Sequence, residues 1–253
     1  MITYKNKIEI EKMREGGKIL AFVLSELEKM AKPGISLLAL EKHADTLINL
    51  HKAMPSFKGY RDYPAILCTS LNEEVVHCIP NKRILCEGDI ISIDCGIKYK
   101  NFFTDSALTV AVGDISEQAQ KLLIATQQSL YAGINQVKPA NTVGDIGFAV
   151  QQYAETRGFS VVRTLVGHGV GYGVHEDPRI PNYGKIKTGA ELKPGMAICI
   201  EPMVNIGGAE VEFSDDGWRV TTKDKSLSAH FEHTIVVTNN GYEILTKREN
   251  EII

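Results

Sequence analysis

Ile90-Ile91-Ser92-Ile93-Asp94-Cys95-Gly96 places an acid inside a run rich in β-branched residues. Its flanks extend it into a hairpin, with one strand over 89–99, a tight polar turn, and a second strand over 102–112. Asp94 and Asp105 are therefore expected on neighbouring strands. Two further acids share this setting: Glu201 in Ala197-Ile198-Cys199-Ile200-Glu201-Pro202-Met203-Val204, and Glu232 just before Thr234-Ile235-Val236-Val237-Thr238. Burying a carboxylate in such a run costs several kcal/mol unless donors or positive charge compensate. No Lys or Arg lies within two positions of any of the four. One such acid alone reads as a buried group satisfied by backbone N–H; all four, joined by His168 in Gly167-His168-Gly169, read better as a site for a pair of divalent metal ions. Hard carboxylate oxygens, one imidazole and no clustered thiolates suit Mn, Fe, Co or Ni more than structural zinc.

Outward from the hairpin, the chain reads as two similar halves. A helix opens at Asn6 with Glu9 three residues on, carries Met13, Leu20, Leu24 and Leu27 on one face, and stops at Pro33-Gly34. A second starts near Ser36 with Leu37, Leu40, Ala44 and Leu47 in register. Beyond the hairpin the plan repeats: a helix from Ser116 to Lys138-Pro139, then another from Thr142 with Asp145 three residues later. Ala31-Lys32-Pro33-Gly34-Ile35-Ser36-Leu37 thus echoes Val137-Lys138-Pro139-Ala140-Asn141-Thr142-Val143 at an offset of 106 residues (137 − 31), and that offset carries Asp94 to within one residue of Glu201. With no low-complexity segment and no Ser/Gly linker, residues 1–253 are expected to form a single catalytic domain of α/β class with two closely packed halves.

Composition excludes several function classes. The 253 residues are 43% hydrophobic and 23% charged with a net charge of −3, which argues against nucleic-acid read-out. Charges interrupt every apolar stretch before the ~20 residues a membrane span needs, and the N-terminus lacks a signal peptide's apolar core, so a cytoplasmic protein with no membrane contact is expected. Five cysteines (Cys68, Cys78, Cys86, Cys95, Cys199) without a C-x-x-C pair fit a reducing compartment.

Gly167-His168-Gly169-Val170-Gly171-Tyr172-Gly173-Val174-His175-Glu176-Asp177-Pro178 superficially resembles a phosphate loop, but no Lys-Ser/Thr follows. Its glycines read instead as admitting a metal or substrate close to the backbone while His168 and His175 project. His77, in Val75-Val76-His77-Cys78-Ile79-Pro80, is a third candidate; His230 alternates with Glu232 and is expected to border the site, with His233 facing away.

The segments around His77, Asp94, Asp105, His168 and His175, together with Ile200-Glu201-Pro202-Met203 and Ser226-Leu227-Ser228-Ala229-His230-Phe231-Glu232-His233-Thr234, resemble those of type I methionine aminopeptidase in its bacterial form, in the family's order and over essentially the whole chain. The resemblance implies the pita-bread (creatinase/aminopeptidase) fold, two pseudo-twofold halves around a central antiparallel sheet. It implies removal of the N-terminal methionine of nascent polypeptides through a metal-bridged water, with a small second residue preferred. It also implies two divalent ions drawn from Mn, Fe, Co, Ni or Zn: Asp94 chelating one, Asp105 and Glu232 bridging both, His168 and Glu201 completing the second. Glu201 becomes the proton shuttle, His175 the stabiliser of the oxyanion, and His77 a hydrogen-bonding partner near the scissile nitrogen. Phe57, Tyr60, Tyr63, Cys68, Val174 and Trp218 become the methionine pocket, where a thioether favours aromatic contacts. A monomer, with room for transient ribosome contact, is expected.

Two departures from the family pattern bear on the pocket. Cys78 stands where Gly is usual, so the loop must differ if that position requires positive φ, and its thiol beside His77 is a candidate for oxidation. Val174 stands where Phe is common, and Phe57 where a smaller residue is. The rival readings are an Xaa-Pro aminopeptidase or prolidase of the same fold and a catalytically inactive binding module.

Overall fold

A computed structural model describes residues 1–249 and Glu251. Helix α1 (Lys7–Met30) begins where Asn6 accepts the N–H groups of Ile8 and Glu9 while Glu9 returns a carboxylate to the Asn6 N–H at 2.8 Å. Met13, Leu20, Leu24 and Leu27 are buried on its inner face. Helix α2 (Leu37–Leu50) starts from Ser36 and buries Leu37, Leu40, Ala44 and Leu47. Helix α3 (Glu117–Ile134) is capped by Ser116, and α4 (Val143–Glu155) begins where the Asp145 carboxylate accepts both the Thr142 N–H and its hydroxyl. All four helices fall where apolar spacing and caps put them.

Nine antiparallel strands form the central sheet: β1 (Met54–Pro55), β2 (Leu67–Leu71), β3 (Ile90–Tyr99), β4 (Phe102–Ala111), β5 (Gly167–Gly169), β6 (Glu176–Ile180), β7 (Ala197–Ile200), β8 (Glu232–Thr238) and β9 (Gly241–Ile244). Their order is β1-β3-β4-β8-β7-β5-β6, with β2 also on β3 and β9 also on β8. Helix α1 packs along β3 and β4, and α3 pairs with α4. The core runs continuously from Leu20, Leu24 and Leu27 through Ile91 and Ile93 to Leu122, Leu130, Ile146 and Ile198.

The two halves correspond in backbone detail. Gly34 (φ 90°) and Ala140 (φ 70°), 106 residues apart, both take the left-handed conformation before the N-caps Ser36 and Thr142. Leu37 N–H binds Arg83 O and Val143 N–H binds Ala190 O; Leu85 N–H binds Ile35 O and Leu192 N–H binds Asn141 O; Gly88 N–H binds Val112 O and Gly195 N–H binds Val237 O. The offset therefore slips from 106 at the helix starts to 107 at Arg83, Leu85 and Gly88 (190 − 83, 192 − 85, 195 − 88), which makes Asp94 and Glu201 equivalent, and widens to 125 at Val112 (237 − 112). The sequence echo missed by one residue because the insertion lies in the loops.

The halves meet at β4 and β8 through a ladder of only two pairs, Ala107↔Glu232 and Ser106↔His233. Hydroxyls continue the seam. Thr234 Oγ1 accepts the Asp105 N–H (2.9 Å) and donates to Asp105 O (2.8 Å), Ser106 Oγ donates to Glu232 O, and Thr109 Oγ1 bonds both N–H and O of His230. A side chain bridging two backbones holds the strands farther apart than a direct ladder would.

The left-handed pair gives a clean stability test, because an added Cβ at Gly34 would meet nothing within 4 Å. Gly34→Ala is expected to cost, and Ala140→Gly to gain, about 0.5–1 kcal/mol in urea denaturation.

Candidate active site

Strand register builds the site. Cys68 pairs with Asp94, Asp94 with Ala107, and Ala107 with Glu232, while Glu201 lies one position past the His233↔Ile200 pair. These residues form one row across the sheet. The next row on the same face runs Gly96, Asp105, Thr234, Cys199 and His168, from the pairs Gly96↔Asp105 and Thr234↔Cys199, the Thr234 bridge to Asp105, and Gly169↔Ile198. All five expected ligands thus share one face. Ala107, between Asp94 and Glu232, leaves open the space their carboxylates border. Ligand atoms of Asp94, Asp105 and Glu232 lie within 4.8 Å of one another, as do those of His168, Cys199 and Glu232, so Glu232 belongs to both groups.

Asp94, Asp105 and Glu232 are buried, and 14% of the Glu201 side chain is exposed. Asp94 Oδ1, Asp105 Oδ1 and Glu232 Oε1 have no hydrogen-bond partner. Backbone N–H groups therefore leave these three oxygens unsatisfied, although the Ser106 N–H reaches the Asp105 carboxylate, and among the described residues no Lys or Arg pairs with any of the four, whose ion contacts are limited to His168 Nε2 at 3.4 Å and His230 Nε2 at 3.9 Å from Glu201. Burial first, then mutual repulsion, pushes the carboxyls of Asp94, Glu201 and Glu232 far above the usual range, and burial raises Asp105 as well. Burial lowers His77 and His168 to about 4 and His230 to about 3, so these imidazoles are neutral and supply no compensating charge. Orphaned oxygens, crowded like charges and neutral imidazoles fit divalent cations, which would replace the protons such a cluster otherwise retains.

Cys199 enters the second group by distance, but its thiol contacts Thr234 Oγ1 at 3.6 Å and is pushed well up by burial and by Glu232. Neither Cys199 nor Thr234 was singled out from sequence, although alternation from Glu201 and Glu232 puts both on the ligand face.

Above the rows lies a cavity of about 110 Å³ lined by Phe57, Tyr60, Arg61, Tyr63, Cys68 and Trp218, with His77, His168, His175 and the four carboxylates at its floor. Five of the six expected pocket residues line it. Val174 packs behind, in a cluster with Phe57, Tyr63, Ala65 and Cys68. Gly96 makes room for Phe57, since an added Cβ would lie 2.7 Å from its ring and 2.2 Å from Ser56 Oγ. Tyr63 meets Trp218 edge-on at 4.9 Å and donates to Leu67 O at 2.9 Å. Tyr60 Oη lies 2.9 Å from His175 Nδ1, and the His168 and His175 rings are 4.3 Å apart, edge to face. His230 borders the site beside Glu201, while His233 faces away toward Thr246 and Glu251. Arg61 had no sequence signal.

Two expectations change. The left-handed residue of the Val75–Pro80 loop is His77 (φ 60°), not Cys78, so no glycine is needed at 78. The Cys78 thiol is buried and pushed up to about 12, chiefly by burial, which opposes the thiolate that oxidation requires. Three of the four glycines of the 167–173 run admit protein rather than substrate: an added Cβ would lie 2.3 Å from Cys199 O at Gly167, 2.1 Å from Asp177 O at Gly169, and 2.3 Å from Lys5 Cε at Gly171, whereas at Gly173 it would meet nothing closer than His175 O at 3.6 Å. Lys5 is buried, and its ammonium meets Glu176 Oε2 at 2.9 Å, while Glu176 Oε1 accepts the Tyr172 and Gly173 N–H groups. This buried pair fixes the loop that presents His175.

Residues 11–239 match metallopeptidase family M24. The chain is 48% identical to the methionine aminopeptidase of Clostridium acetobutylicum over 97% of this chain and 99% of that one. The crystal structure of methionine aminopeptidase from Rickettsia prowazekii superimposes with a TM-score of 0.96 at 41% identity, covering 98% of this chain and 100% of that one. The prolidase from Pyrococcus horikoshii OT3 shares the fold with a TM-score of 0.77 at 20% identity, covering 99% of this chain and 65% of that one.

Carboxyls raised in the fold hold protons that the unfolded chain releases near pH 4, so they favour the metal-free fold at low pH and lose that contribution as pH rises through their raised values. The lowered imidazoles act in the opposite sense, and only below about pH 6.5. Metal-free protein is therefore expected to lose thermal stability from about pH 7 upward, and Mn²⁺ to restore it. Asp94→Asn should raise metal-free stability by about 1 kcal/mol or more and abolish most of the Mn²⁺-dependent rise in Tm, read by calorimetry. Lys5→Met should cost about 3 kcal/mol by stranding Glu176.

Proposed function

Since this chain belongs to metallopeptidase family M24, and within it to the methionine aminopeptidases, we propose that it hydrolytically removes the N-terminal methionine of nascent proteins and peptides, preferring a small second residue, and that residues 1–253 act as one catalytic domain. The observation that carries this reading is an aromatic-walled cavity, partly open to solvent and with room for one side chain, set directly on the carboxylate rows. Asp94, Asp105, His168, Glu201 and Glu232 would hold two divalent ions. When bound, the ions supply Lewis acidity, acidifying water and polarising a carbonyl oxygen.

The chain's own groups do the rest. Glu201, between the His168 and His230 imidazoles, is held above the usual carboxylate range by burial and by Asp105, and would serve as the proton shuttle. His175 is lowered too, and the tautomer in which Tyr60 donates to Nδ1 carries its proton on Nε2, where it can donate to a developing oxyanion. His77, held in a left-handed turn at the cavity floor, would hydrogen-bond near the scissile nitrogen. Phe57, Tyr60, Tyr63, Cys68 and Trp218, backed by Val174, would take the thioether.

The protein would act in the cytoplasm as a monomer with transient ribosome contact; among the described residues no helix is long and apolar enough to cross a membrane. Incubating metal-stripped protein with Met-Ala-Ser and Ala-Pro-Ser peptides, before and after Mn²⁺ or Co²⁺, tests the reading by mass spectrometry. Metal-dependent release of methionine alone is expected; cleavage of only the second peptide would move the chain to Xaa-Pro chemistry, and no cleavage would favour an inactive binding module. Glu201→Gln is expected to lower kcat by at least about 10²-fold while leaving the circular dichroism unchanged.

A further inference from the structure

Among the described residues, Arg61 is the one permanent cation lining the cavity, and neither the metal rows nor the methionine pocket uses its charge. It is exposed, and among the described residues no carboxylate pairs with it, as is also true of Arg157, Arg179 and Arg219; what sets Arg61 apart is its place in the cavity wall. Its backbone is unusual. Arg61 (φ 50°, ψ 36°) and Asp62 (φ 67°) are consecutive left-handed residues following Gly59 (φ 86°). Side-chain-bearing residues rarely adopt that conformation, and where it persists the surroundings must impose it. Here the turn is closed by Gly59 N–H to Tyr63 O and Tyr60 N–H to Phe57 O, both 2.8 Å, and by Tyr63 N–H to Tyr60 O at 3.0 Å. The guanidinium lies 5.3 Å from the Tyr60 ring centroid, and Tyr60 Oη is 2.9 Å from His175 Nδ1.

The cavity is thus polarised, with an acidic floor that calls for metal ions and a single cation on its rim beside His175. A substrate held by its first side chain in this cavity, which is partly open to solvent, must pass its remaining residues out through the opening that Arg61 lines. We propose that Arg61 is a specificity residue whose guanidinium receives a carboxylate located beyond the scissile bond, either an acidic side chain or the terminal carboxylate of a very short peptide. This rests on the aminopeptidase reading above, and it gives the substrate class a charge preference that the metal rows do not supply. Arg61 stays exposed because its partner arrives with the substrate.

Trp218, the chain's single tryptophan, lines the same cavity and reports occupancy by fluorescence. Mn²⁺-loaded protein is titrated with uncleavable reduced-amide analogues of Met-Ala-Asp-Gly-amide, Met-Ala-Asn-Gly-amide and Met-Ala-Lys-Gly-amide, and of Met-Ala-Gly as free acid and as amide. The aspartate peptide is expected to bind about fivefold more tightly than the asparagine peptide at low ionic strength, with the difference shrinking in salt. Arg61→Met should erase it, and Arg61→Glu should favour the lysine peptide. A preference shown only by the free acid over its amide assigns the ligand to the chain terminus. Equal affinities in the wild type, or a preference that survives Arg61→Met, overturns the proposal. Absence of methionine release from cleavable Met-Ala-Asn-Gly-amide would instead sink the aminopeptidase reading, while the fluorescence comparison decides Arg61 separately.

Discussion

Four carboxylates on one face of a buried sheet repel one another, and the rest of the architecture follows from holding them there. Sheet register makes the crowding unavoidable: once Asp94 pairs with Ala107 and Ala107 with Glu232, the acids cannot turn from one another without reversing the whole inner face. Three of their oxygens find no donor, and the imidazoles beside them are neutral. Only protons or cations relieve such a cluster, which makes metal affinity and pH-dependent stability two consequences of one geometry.

The scaffold around the rows creates space rather than filling it. Ala107 is small where three acids converge, Gly96 yields to the Phe57 ring, and the hydroxyls of Ser106, Thr109 and Thr234 replace ladder bonds where the halves join. A continuous β4–β8 ladder would draw the two halves to ordinary strand spacing. The pseudo-twofold relation gives a simple account of the ligand set: Asp94 and Glu201 are equivalents from the two halves, and Ala107 is paired with its own counterpart, Glu232.

The two histidines proposed for catalysis sit on less regular chain. His77 occupies a left-handed turn, and His175 rides on a glycine-dense loop pinned by the buried Lys5–Glu176 pair. Tyr60 links that loop to the cavity wall, so wall and chemistry share one hydrogen-bonded unit. Placing mobile chemistry on loops and fixed ligands on strands is a common division of labour.

Helix starts at Asn6, Ser36, Ser116 and Thr142, the Asp94–Asp105 hairpin and the gathering of the five expected ligands on one face were legible in the chain, because caps, alternation and missing local counter-charges are local signals. From the chain alone it follows that buried acids call for cations and that two similar halves supply them. What the 167–173 glycines accommodate was not legible, since the backbones of Asp177 and Cys199 and the Lys5 side chain arrive from elsewhere in the chain. Nor was the position of the left-handed residue at His77, the withdrawal of Val174 behind the wall, or the arrival of Arg61 on the rim. Only the tertiary structure decided these, because each depends on which distant segment packs against it, and short-range periodicity carries no information about that.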